Sequence, residues 1–223
     1  FKLVDLVLGY QFNNSYEKKY IGITGPLMGL SFNTVQGYNI SVRSNYTKLY
    51  NEYKNFISFN GLVNYSVESD RIRGKLFGKY KFNAINNAEF RFDIGSKTEQ
   101  FNSENPITKL QNSISSLFFE KNYMKIYDKS YIDIGYSREL FNGLFFKSNL
   151  IYEDRKALFN NTDFVILPRE SINYTSNNPL NPNATNTAPF INHDIIKFNI
   201  GIGISLGEKF MSYPDFKVNI ENS

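Results

Sequence analysis

Cysteine and tryptophan are absent from the 223 residues, and histidine occurs once. Without cysteine there is no disulfide scaffold, no thiolate metal site and no cysteine nucleophile. A single histidine excludes a multi-histidine zinc site and leaves His193 as the one imidazole base. A dominant charge is missing too. Lys+Arg number 25 against 21 Asp+Glu, a net +4 with no basic run, so the chain lacks the electrostatic footprint of a nucleic-acid binder. Long apolar runs are also absent. The longest clean one, Phe164-Val165-Ile166-Leu167, falls far short of the roughly 18 residues a membrane helix needs. The chain opens at Phe1 with no Met, no basic n-region and no cleavage site, and it is read as a piece of a longer protein.

What is present is an unusual pairing of aromatic content with polarity. Phe and Tyr number 21 and 16, yet mean hydropathy is −0.39. Such a chain is built from alternating faces, not from one thick apolar core. Period-two alternation is the dominant pattern. Tyr38, Ile40, Val42 and Tyr46 alternate with Asn39, Ser41, Arg43 and Asn45. Ile57, Phe59, Gly61, Val63, Tyr65 and Val67 alternate with Ser58, Asn60, Leu62, Asn64 and Ser66. Ile72, Gly74, Leu76, Gly78, Tyr80 and Phe82 oppose Arg71, Arg73, Lys75, Phe77, Lys79 and Lys81. Ala88, Phe90, Phe92 and Ile94 oppose Glu89, Arg91 and Asp93. The pattern returns at Ile132–Tyr136, at Leu144–Tyr152 (where Phe145 and Ile151 break it) and at Ile196–Leu206. Seven amphipathic strands result, and weaker patterns over Phe1–Phe12 and Leu27–Phe32 raise the expected count to about nine.

Several of these strands reach about 10–13 residues, longer than the usual 5–6 of soluble sheets and suited to a tilted bilayer crossing of roughly 9–11. Aromatics gather towards the ends of the apolar face, and the opposite face is too polar for a sandwich core. Short turns at 68–71, 83–87 and 140–143 alternate with long segments at 98–128 and 155–192. Placing both long segments outside puts the turns at 83–87 and 140–143 together inside. A helix is expected around Thr108–Phe119. The Asn- and Pro-rich stretch Asn177–Asn183 reads as an exposed loop that builds no core. The predicted registers set Val67 beside Ile72, Val63 beside Leu76 and Phe59 beside Tyr80, then Tyr80 beside Phe90, Leu76 beside Ile94 and Lys81 beside Glu89.

Three segments resemble a family of bacteroidete outer-membrane barrel proteins of unknown function. They are Ser31-Phe32-Asn33-Thr34-Val35-Gln36-Gly37-Tyr38, with Gln36 where the family carries an acid; Asn122-Tyr123-Met124-Lys125-Ile126-Tyr127; and Glu139-Leu140-Phe141-Asn142-Gly143-Leu144 with Tyr152-Glu153-Asp154-Arg155-Lys156-Ala157-Leu158 following. The resemblance covers roughly residues 27–160, with the segments in the same order. It implies a location in the bacterial outer membrane, and full-length members with a signal peptide and a carboxypeptidase-regulatory-like sandwich before a long barrel. It also implies closing strands beyond this chain. It carries over no catalytic residue.

The most distinctive polar feature is the row Arg71, Arg73, Lys75, Lys79 and Lys81 beside Glu89, Arg91 and Asp93. It reads foremost as a cross-strand charge ladder or a dock for the 98–128 segment, and secondarily as an anion-selecting wall or a grip for anionic lipopolysaccharide-like or nucleotide substrates. His193 beside Asp194, with Ser171 or Ser176 as nucleophile, frames a hydrolase alternative. Glu68/Asp70 and Glu153/Asp154 are the candidate acid pairs, though carboxylates in exposed turns are usually just solvated. No metal cluster or phosphate loop is expected, and no cofactor. The expected architecture is an incomplete antiparallel transmembrane β-barrel. Its expected role is in transport, assembly or surface presentation without catalysis, in contact with outer-membrane lipid and with other outer-membrane or periplasmic proteins. A soluble sandwich or lipocalin-like binding module is the remaining alternative.

Overall fold

The computed structural model describes Val7, residues 9–50, 55–168 and 173–205, and the backbone of 210–212 and 217–219. The strands are β1 (Tyr10–Asn14), β2 (Lys19–Ile23), β3 (Ser31–Asn33), β4 (Gly37–Tyr50), β5 (Asn55–Ser66), β6 (Arg71–Asn83) and β7 (Ala88–Gln100). After helix α1 (Lys109–Phe119) come β8 (Ile126–Phe141), β9 (Leu144–Lys156), β10 (His193–Ile204), β11 (Phe210–Ser212) and β12 (Lys217–Asn219). Nine strands form one antiparallel sheet in the order β1-β2-β4-β5-β6-β7-β8-β9-β10, with β3 paired to β4. β11 and β12 form a separate hairpin. The large sheet is open, and β1 and β10 are its edges. The architecture is all-β and compatible with an incomplete barrel, as the alternation implies.

Local chemistry explains the hairpins. The β8–β9 turn is Asn142-Gly143, with Gly143 at φ 78°, where a residue without Cβ fits a tight two-residue loop. Glu139 Oε1 accepts from the Gly143 N–H at 2.9 Å. At the β6–β7 turn, Asn83 Oδ1 accepts from the Ile85 N–H at 2.9 Å and Asn87 adopts φ 52°, a conformation Asn tolerates better than most residues. Helix α1 begins where expected because Thr108 caps it, its hydroxyl accepting from the Gln111 N–H at 3.2 Å.

Several expectations are corrected. Leu27–Phe32 is not a strand: Pro26–Gly29 form a 3-10 turn, with Pro fixing its start, and β3 is confined to Ser31–Asn33. Of the strand expected over Phe1–Phe12, the end is found in β1, which starts at Tyr10, runs on to Asn14 and pairs with the unexpected β2 at Lys19–Ile23. Residues 1–6 and 8 lie outside the described ones. The β5–β6 register is shifted by two residues, so Tyr65 faces Ile72 and Val63 faces Gly74. A two-residue shift preserves side-chain parity, which is why the faces survive the error. The β6–β7 register is as expected, with Tyr80 opposite Phe90, Leu76 opposite Ile94 and Lys81 opposite Glu89. β7 and β8 extend to Gln100 and from Ile126, shortening the first long connection to 101–125. Leu206 of the last alternating run lies outside the described residues.

Connections sort by end. The turns 84–87 and 142–143 lie at one end of the sheet, and segments 24–36, 67–70, 101–125 and 157–192 at the other. Among the described residues no helix is long and apolar enough to cross a membrane.

Candidate functional site: the polar face and its cap

The two faces of the sheet have reversed burial. Ile40, Val63, Ile72, Leu76, Phe90, Ile94, Ile132, Ile134, Leu150, Ile196 and Phe198 are all exposed, Ile72 at 72% and Ile196 at 73%. Cross-strand rows are continuous, as in Leu76–Ile94–Ile132–Tyr152–Ile196. On the opposite face, Asn39, Ser41, Asn64, Ser66, Arg73 and Glu153 are buried, and so is Asp128 at the long-loop end of β8, although it shares the parity of Ile132 and Ile134. Glycine serves both faces. On the apolar side Phe92 lies so close over Gly78 that a Cβ there would stand 2.3 Å from its ring, and on the polar side Arg91 lies in the same way over Gly135, 2.4 Å from such an atom.

The buried part of the polar face sits at the long-loop end, under a cap. Asn33 Oδ1 accepts from the N–H groups of Val35 (3.0 Å) and Gln36 (2.8 Å), turning β3 back into β4. Gly37, at φ 69°, completes the turn against Glu68, whose Cγ would lie 2.0 Å from a Cβ. The Gln36 amide donates to Ser66 Oγ at 3.0 Å, and Ser66 Oγ donates to Asn39 Oδ1 at 2.9 Å. Asn112 of α1 is fully buried; its amide donates to Asn122 Oδ1 at 2.8 Å and its carbonyl accepts from the Met124 N–H at 2.9 Å. Asn122 donates to Thr34 Oγ1 at 2.6 Å. A small apolar core of Val35, Met124, Ile126 and Leu158 lies among these amides. Two of the resembling segments, around Thr34 and Asn122, thus meet in the cap.

The Asn-rich stretch is not wholly exposed, contrary to expectation. Ser176, Asn177 and Asn178 are buried. Asn177 donates to the carbonyls of Ile126 and Leu158, both at 2.7 Å, and accepts from the Ile126 N–H at 3.0 Å. An amide side chain can satisfy backbone groups that an apolar one cannot, so Asn builds a core by hydrogen bonding. Lys125 Nζ donates to Thr175 Oγ1 at 2.7 Å, and burial lowers its pKa to about 8. Tyr174 donates to the Ser116 carbonyl at 2.6 Å; burial, with Glu120 and Asp163 nearby, pushes its phenol up to about 12.

The predicted charge row lies on one face but is divided. Arg71 and Arg73 both clasp Asp128 of β8, at 2.6 and 2.8 Å, with Arg73 3% and Asp128 7% exposed. Lys79 pairs with Glu89 at 2.8 Å, Lys81 donates to Asn87 Oδ1 at 2.8 Å, and Asp93 accepts from the Tyr131 hydroxyl at 2.9 Å. Arg91 covers Gly135, and Lys75 lines a cavity with Arg43 and Lys109. Missed by sequence reasoning were Asp128 and Glu153 as hubs. Glu153 receives Lys129 at 3.2 Å, Lys197 at 3.5 Å and the Arg155 guanidinium. Only pairing across β6 to β10 brings these groups together, and no local spacing signals it.

The hydrolase constellation is not assembled. His193 and Asp194 are consecutive in β10 and point to opposite faces. His193 Nδ1 contacts the Ile191 carbonyl at 2.8 Å, and its ring stands 5.4 Å from Phe190 beside a rim cavity of ≈ 370 Å³. Ser176 donates its hydroxyl to the Ala184 carbonyl at 2.7 Å, and Ser171 lies outside the described residues. Glu153 and Asp154 likewise diverge, Asp154 pairing with Lys156 at 2.9 Å. Glu68 packs against Gly37, and Asp70 accepts from Tyr65 at 2.9 Å. Among the described residues no group of three or more His, Asp or Glu lies together as a metal site.

With this face described, comparison with known proteins adds one result. Residues 4–223 match the model of the family of unknown function (DUF5686) C-terminal domain. The chain belongs to that family. No curated protein and no solved structure matches the chain. Of the resemblance carried by the segments at Ser31, Asn122 and Glu139, two of which build the cap, the match bears out membership in a family of unknown function.

Proposed function

We propose that this domain forms most of the wall of an outer-membrane β-barrel of the kind found in Bacteroidota, serving transport, assembly or surface presentation and not catalysis. The observation that carries the proposal is the reversed burial: a continuous apolar face left uncovered across the sheet, and an opposite face filled with paired polar groups. Water would charge heavily for the first, at about 25 cal/mol per Å² of apolar surface, whereas acyl chains would not. Strands of 12–13 residues, at about 3.3 Å per residue and a tilt of roughly 45°, span about 30 Å, the thickness of a hydrocarbon core.

In this reading the cap lies at the extracellular end and the turns 84–87 and 142–143 at the periplasmic end. Further strands, or an equivalent closure, pair the edges β1 and β10, since open edges invite aggregation. A preceding carboxypeptidase-regulatory-like sandwich would lie in the periplasm. The partners are lipid and neighbouring outer-membrane or periplasmic proteins. A soluble sandwich would need a second layer over the apolar face, and along β4 to β10 most of that face is left exposed.

The test uses the full-length protein. Membranes are fractionated, extracted with detergent and run boiled and unboiled on a gel. The expected result is outer-membrane recovery with a heat-dependent mobility shift. Recovery in the soluble fraction without a shift would sink the proposal.

A further inference from the structure

Most cations on the polar face are neutralised. Arg71 and Arg73 share Asp128, Lys79 has Glu89, Lys97 has Glu99, and Lys129, Arg155 and Lys197 converge on Glu153. Arg43, Lys75 and Lys109 are different. They line one cavity of ≈ 560 Å³ whose walls contain no Asp or Glu, and none of the three has an ion-pair partner among the described residues.

The cavity is built by contiguous strands, away from the open edge at β10. Its floor is two cross-strand rows, Arg43–Leu62–Lys75 and Asn45–Asn60–Phe77. Lys109, the first residue of α1, is the third cation. Surrounding protein, with the Arg43 guanidinium adding to it, lowers the Lys109 pKa, although the ammonium remains open to the cavity. By contrast, the ≈ 320 Å³ cavity at Arg91 and Lys147 already contains Glu89 and leans on the edge strand β10.

Three like charges around one space repel each other, and an anion between them would relieve that cost. The other walls favour a particular kind of anion. Asn45 and Asn60 offer amide donors and acceptors, and Phe77, beside Leu62, offers an apolar ring on the floor. The volume falls in the range of small-molecule sites and exceeds what a bare inorganic ion fills. We propose that this cavity binds a small anionic saccharide, phosphorylated or carboxylated. Arg43, Lys75 and Lys109 hold the anion, Asn45 and Asn60 the hydroxyls, and Phe77 the apolar face of the ring. The site lies on the polar face whichever medium meets the apolar one, so the inference stands apart from the membrane reading.

The test is calorimetric titration of the full-length protein with glucose 6-phosphate, glucuronate, glucose and inorganic phosphate. At least one anionic sugar saturates, inorganic phosphate binds about tenfold more weakly, and glucose shows no saturation; one lost charge contact costs about the same factor. Lys75→Gln and Arg43→Gln each weaken the sugar by about tenfold, Lys75→Arg restores it, and Lys79→Gln, whose lysine is already paired, leaves it unchanged. Circular dichroism verifies each fold. Absence of saturation with both anionic sugars overturns the proposal, as does equal weakening in Lys79→Gln. Phosphate binding as tightly as glucose 6-phosphate removes the saccharide and overturns the assignment in that form.

Discussion

The polar face carries the same residue types along its length, yet its two halves are held differently. At the capped end Arg73 and Asp128 are removed from water and enclosed by Ser66, Gln36 and Asn39. Toward the turns, Lys79 and Glu89 remain 32% and 23% exposed. Alternation sets Arg73, Lys79 and Glu89 on this face, whereas Asp128 has the parity of Ile132 and meets Arg73 beyond the end of the β6–β7 ladder at Lys75 and Gly95. What separates them is the cover supplied by Gln36 and Asn39 around Ser66, which turns solvated charges into a satisfied polar core. The lesson is that a charged strand face has no fixed energetic meaning until it is known what lies on top of it.

The sharpest way to break this contrast is Asp128→Ala. It strands Arg73 with only Ser66 Oγ, at 3.3 Å, and should cost about 3–5 kcal/mol in denaturant unfolding of the full-length protein. Next in size is Ile134→Lys on the apolar face, expected to cost about 2–4 kcal/mol in lipid vesicles, where a water-facing site would be indifferent. Asn112→Ala comes third. It removes the acceptor of the Met124 N–H and the donor to Asn122 Oδ1 inside the cap, at about 1–3 kcal/mol, and should raise hydrogen exchange at 122–126. Lys79→Gln, in the wet half, should change stability by less than about 1 kcal/mol.

The last test is a pH dependence. Lys125 has a folded pKa of about 8 against an ordinary 10.5. Below pH 8 both states are charged and the desolvation cost is constant. Between 8 and 10.5 the unfolded chain binds more protons, so stability rises with pH. Unfolding midpoints at pH 7.5 and 9.5 should therefore differ more favourably for the native protein than for Lys125→Met. Identical differences would remove Lys125 from the account.

Much of the sheet is legible in the sequence because period two is a local property. Both faces of β4 to β10, the Asn142-Gly143 turn and the Thr108 cap follow from neighbours in the chain. The β5–β6 register failed by two residues because either choice keeps Val63 and Leu76 on the apolar face, so hydrophobic pattern cannot separate them. Pro26 marked the break that makes Leu27–Phe32 a turn followed by three strand residues, and the apolar residues around it masked that signal. The cap was the least legible part. Asn177 looks like loop composition until it is seen holding Ile126 and Leu158, and Asp128 is 55 residues from Arg73.

The central claim is that the two faces meet different media, and the absence of tryptophan makes a clean probe available. Phe77 and Phe92 lie at nearly the same height on adjacent strands, Phe77 opposite Asp93 and Phe92 opposite Gly78, and on opposite faces. Single Phe77→Trp and Phe92→Trp proteins, full length and reconstituted in vesicles of brominated lipid, should differ sharply. Bromine should quench the tryptophan at position 92 strongly and leave that at position 77 nearly untouched. Equal quenching of the two, or none at position 92, would contradict the account.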